Sequence, residues 1–91
     1  MQLKKKLMTD QEQKRLDTMN AVLVKMEDIK NTQKSLIEKI GMVEVQLFDI
    51  QSKDLDKELE NVMVRASDTL KIIKQATEAF EMKRNRLENE A

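Results

Sequence analysis

The 91-residue chain contains no cysteine and no histidine. That excludes a disulfide, a Cys/His zinc site, and any thiol or imidazole acting as nucleophile or base. Proline is absent too, Gly41 is the only glycine, and Phe48 and Phe80 are the only aromatic residues. Sheet domains draw on β-branched and aromatic runs broken by Gly and Pro turns, so an all-β fold is not expected. A glycine-rich phosphate-binding loop is excluded by count. No charge of one sign dominates either, since 17 basic side chains face 17 acidic ones. No bulk field therefore draws in a polyanion or an anionic membrane, and a charged partner has to be met by a local patch. No apolar run approaches the roughly 18 residues of a membrane-spanning helix. The opening residues carry Lys4, Lys5 and Lys6 with no apolar stretch behind them, so the expectation is a soluble, cytoplasmic protein.

What remains is 37% charged and 40% hydrophobic, the composition of long amphipathic helices. Thr9 and Glu12 have the spacing of a capping box, which starts a helix at about Asp10. From there a heptad seam runs Met19, Val22, Met26, Ile29, Gln33, Leu36, Ile40, Val43, Leu47, Ile50, apolar at every position but Gln33. Ser35 and Glu38 have capping-box spacing as well, but the seam keeps its phase through them. A second seam reads Leu55, Leu59, Val62, Ala66, Thr69, Ile73, Ala76, Phe80, Lys83, Leu87. Leu47 and Leu59 are twelve residues apart, not a multiple of seven, so the two seams are out of phase. Ser52 and Asp54 are good N-cap residues between them, Asp54, Asp56 and Glu58 suit the start of a new helix, and Lys83, Arg84 and Arg86 suit its end.

The expected fold is therefore all-α: an N-terminal basic tail over 1–9, a first helix over 10–50, a turn at 51–54, and a second helix over 55–91 ending in a short tail. The two helices form an antiparallel hairpin. One alternative is a continuous coiled-coil helix that absorbs the phase change as a stutter. Another stops the first helix at Gly41 with a Schellman cap, after which the alternating 43–47 segment pairs as a strand across a dimer. Leu16, Leu23 and Ile37 lie beside the first seam and Met63 and Leu70 beside the second, which makes each apolar face wider than a two-stranded coil uses. Two such helices cannot cover one another, and a chain this small with no disulfide or metal needs a further staple. Self-association into a dimeric four-helix bundle supplies it. Residues 1–34, 35–60 and 61–91 carry net charges of +3, −4 and +1, so the acidic tip of one hairpin would suit the basic open end of another.

Functionally the sequence points to a non-enzymatic interaction protein with no cofactor and no metal: an assembly factor, a scaffold or adaptor, or a small chaperone-like subunit. The residues expected to meet a second copy or another helical protein are those of the two seams, with Ile40, Met42, Val45, Leu47, Phe48 and Ile50 as the principal patch. Gln33, alone in its seam, is a candidate for fixing register. It resembles the glutamine layer of SNARE helices, yet Asp54 and Lys57 fall where apolar layers of that family would continue. Lys4, Lys5, Lys6, Lys83, Arg84 and Arg86 form a candidate phosphate-binding end, which would make the chain a nucleic-acid-binding dimer. No aromatic side chain accompanies them for base stacking. A third reading is a subunit of a hetero-oligomeric coiled coil. The acidic run Asp49, Asp54, Asp56, Glu58, Glu60 lacks the mid-loop glycine of an EF-hand and reads as a solvated tip.

Overall fold

The structure, a computed structural model, describes residues 8–90. Two helices account for almost all of it: α1, Asp10–Ile50, and α2, Lys53–Glu90. They fold back on each other as an antiparallel hairpin with a longest extent of 69 Å and no strand among the described residues. About forty residues of helix at about 1.5 Å each supply roughly 60 Å of that length.

The start of α1 is fixed by the capping box. Thr9 Oγ1 accepts from the Glu12 amide at 3.0 Å while Glu12 Oε1 accepts from the Thr9 amide at 2.9 Å, so two helix-end donors find partners. The helix then continues without a break through residues 35–38 and Gly41 to Ile50. Neither the strand alternative nor the continuous rod is adopted. A Cβ added at Gly41 would meet nothing within 4 Å, so packing among the described residues does not require a glycine there.

The turn differs from expectation in being shorter. Lys53 and Asp54 are already helical, because the Ser52 carbonyl accepts the first intrahelical bond, from the Asp56 amide at 3.0 Å. The reversal rests on Gln51, which is left-handed at φ 51°, ψ 52°, its amide bonded to the Leu47 carbonyl at 2.7 Å. Glycine takes this conformation freely, whereas a side chain there costs about 1 kcal/mol or more. Gln51→Gly is therefore expected to raise the unfolding free energy by roughly 0.5–1 kcal/mol, less than the full strain because glycine also loosens the unfolded chain. Chemical denaturation measures this, and a lower midpoint would show that Gln51 makes up for its strain elsewhere. At the far end α2 runs past Lys83, Arg84 and Arg86 to Glu90, and its last turn holds no basic residue.

The interface between the helices uses two rows on each. The central rows, seven residues apart, are Met19, Met26, Gln33, Ile40 and Leu47 on α1, and Leu59, Ala66, Ile73, Phe80 and Leu87 on α2. All are buried or half-buried. The inner rows are Leu16, Leu23, Lys30, Ile37 and Glu44 on α1, and Met63, Leu70, Thr77 and Arg84 on α2, again all buried or half-buried. The seam thus closes on the flank opposite to the one the heptad pattern favours. Leu23 and Ile37 are covered, whereas Val22, Ile29, Leu36, Val43 and Ile50 on α1, and Leu55 and Val62 on α2, remain exposed. Lys30 can occupy a covered row because its long aliphatic stem lies along the apolar surface while its ammonium reaches Glu27 at 3.0 Å.

Polar contacts set the register. Gln33 Nε2 donates to the Ala66 carbonyl across the seam at 2.9 Å. Gln33 is the only polar member of its central row and Ala66 the only small member of the facing one, so the side chain that needs a backbone partner meets the one position where the backbone is open. Near the open end Arg84 Nη1 donates to Asn20 Oδ1 at 2.7 Å, which ties the first third of α1 to the last quarter of α2.

Candidate partner-binding surface

Each helix has a third row beside its central one. On α1 this outer row is Val22, Ile29, Leu36, Val43 and Ile50, apolar throughout and between 37% and 69% exposed. On α2 it is Leu55, Val62, Thr69, Ala76 and Lys83, with Leu55 and Val62 43% and 41% exposed. In an antiparallel pair the two outer rows flank the seam on the same side, so they form one broad face. The opposite side of the seam is charged, with Glu27, Lys30, Lys34, Lys74, Glu78 and Glu81 around a shallow groove.

The choice of rows is physically telling. The inner row of α1, which α2 covers, contains Lys30 and Glu44, whereas the outer row, whose members the described residues all leave exposed, contains no polar residue. Few side chains are well buried in return: Leu16, Met19, Ile40, Leu47 and Ala66 are the buried hydrophobic residues, and no side chain among those described is fully enclosed. Monomeric proteins rarely expose contiguous apolar surface of this kind.

Of the principal patch, Ile40 and Leu47 are spent inside the hairpin, while Met42, Val45, Phe48 and Ile50 are exposed. Ile50 belongs to the outer row. Phe48, 79% exposed, borders a concavity of about 630 Å³ at the tip, together with Gly41, Glu44, Leu47, Asp56 and Glu60. Met19, Met26, Gln33, Leu59, Ala66, Ile73 and Phe80 all lie in the intramolecular seam. Of the basic residues, Lys4, Lys5 and Lys6 lie outside the described residues. Arg84 is half-buried and engaged by Asn20, Asn85 and Glu81, which leaves Lys83 and Arg86 exposed at that end. Among the described residues no cluster of acidic side chains is arranged to hold a metal ion. Among them, too, no helix is long and apolar enough to cross a membrane. Comparison with protein-family models, with curated proteins and with solved structures finds no match to this chain.

Proposed function

We propose that this protein is a non-enzymatic helical oligomerisation module, which associates through the outer-row face to complete a four-helix bundle and serves as a scaffold or assembly factor. The observation that carries this reading is the wholly apolar outer row of α1, left 37% to 69% exposed while a row containing Lys30 and Glu44 is buried or half-buried. Fully burying a large aliphatic side chain contributes about 1.5–3 kcal/mol. With seven such residues in the two outer rows, each roughly half-covered already, covering the face contributes on the order of 5–10 kcal/mol per chain. That is comparable to the whole stability of a small domain, about 5–15 kcal/mol. Folding and association are then coupled, and the melting midpoint rises with chain concentration. Light scattering and thermal melts across a hundredfold concentration range test this. A single-chain particle whose midpoint does not move would overturn the reading.

A further inference from the structure

Resting on that reading, we infer that the occupant of the outer-row face is a second copy of this chain packed antiparallel to the first, α1 on α1, with the two-fold axis at Leu36. Two face-to-face orders satisfy two-fold symmetry. With the axis along the hairpin, both tips lie at one end and α1 stacks on the partner's α2. With the axis across it, the tips lie at opposite ends and each helix stacks on its own copy.

The rows themselves fit the crossed order. The outer row of α1 is centred on Leu36. The reversal at Gln51 and the Asn20–Arg84 pair place Thr69, the centre of the α2 outer row, within a turn of the same height. One axis therefore centres both rows. Leu36 then meets its own copy, Ile29 meets Val43 of the other chain, and Val22 meets Ile50. On α2 the large Val62 meets Ala76 of the other chain.

Apolar fit alone would also accept the parallel order, and charge decides between them. Residues 35–60 carry three basic and seven acidic groups. The parallel order sets two such tips side by side and brings Lys39 level with Arg65 of the second copy. The antiparallel order sets each tip against residues 22–37 and 78–85 of the second copy, which carry five basic and four acidic groups. It also brings Lys39 beside the uncharged Thr32, and Lys83 within a turn of Glu58. Like charges side by side disfavour the wrong order, which is how charge specifies orientation in helical assemblies.

The absence of native cysteine makes the test direct. Leu36→Cys alone and Thr69→Cys alone are each expected to form an inter-chain disulfide under mild oxidation, because each sits beside its own copy near the axis. Spin labels on Lys53→Cys, far from the interface centre, are expected roughly 50 Å apart, from about 16 residues of helix on either side of the axis. Cross-linking seen only when the Leu36→Cys and Thr69→Cys chains are mixed, with tip labels within about 20 Å, would establish the parallel order and overturn the inference while leaving the oligomerisation reading intact. A single-chain particle would instead remove that reading itself.

Discussion

Ile29→Lys combined with Leu36→Lys is expected to yield a single-chain particle, with association weakened roughly a thousandfold, about 4 kcal/mol. Both residues lie in the outer row of α1, 48% and 42% exposed, and the aliphatic stem of lysine keeps part of the contact they make inside the hairpin. Lysine is as good a helix former as leucine, so the local cost in α1 is small. The loss falls on association: two aliphatic side chains per copy lose their cover, and at the axis two ammonium groups face each other. Sedimentation equilibrium reads the change in mass. The isolated hairpin should melt at a lower midpoint that no longer depends on concentration. An unchanged mass would place the interface elsewhere.

Leu47→Asp is expected to unfold the hairpin rather than separate copies of it. Leu47 is 6% exposed in the central row, one turn before the reversal, where the Gln51 amide also closes on its carbonyl. Removing the aliphatic group costs about 2–5 kcal/mol and burying an unpaired carboxylate adds several more, which together match the stability of a domain this size. Circular dichroism should show most of the helix signal lost, since long helices with few buried residues depend on packing. Val24→Asp, at a position 71% exposed, is the control and should change stability by no more than about 0.5 kcal/mol. Equal effects at the two sites would mean that the seam is misassigned.

Those positions also mark how far the sequence can be read. The seven-residue spacing of Met19, Met26, Gln33, Ile40 and Leu47, and of Leu59, Ala66, Ile73, Phe80 and Leu87, is legible as a buried row on each helix. Thr9 with Glu12 locates the start of α1, because capping is a local property. The flank on which the seam closes is not legible. Periodicity favours Val22, Ile29, Leu36, Val43 and Ile50 as the most apolar row, yet α2 packs on the row that holds Lys30 and Glu44. The chain reverses through the left-handed residue Gln51, a single backbone conformation that leaves no periodic trace. The turn itself carries no glycine or proline to announce it. Arg84 gives no sign of being a seam residue, because its partner, Asn20, is 64 positions away.

The meeting of Gln33 with Ala66 bears on how the chain reaches its fold. A heptad repeat is degenerate: sliding α2 by seven residues returns apolar residues to nearly every central position, so slipped hairpins are natural kinetic traps. A slip would set Gln33 against Leu59 or Ile73, whose bulk covers the carbonyl it needs and leaves a half-buried amide without an acceptor, at a cost of about 1–3 kcal/mol. The correct alignment alone combines a short reversal with a satisfied amide. The pair acts as a proofreading contact on the folding landscape, raising the energy of misaligned states more than it lowers that of the native one.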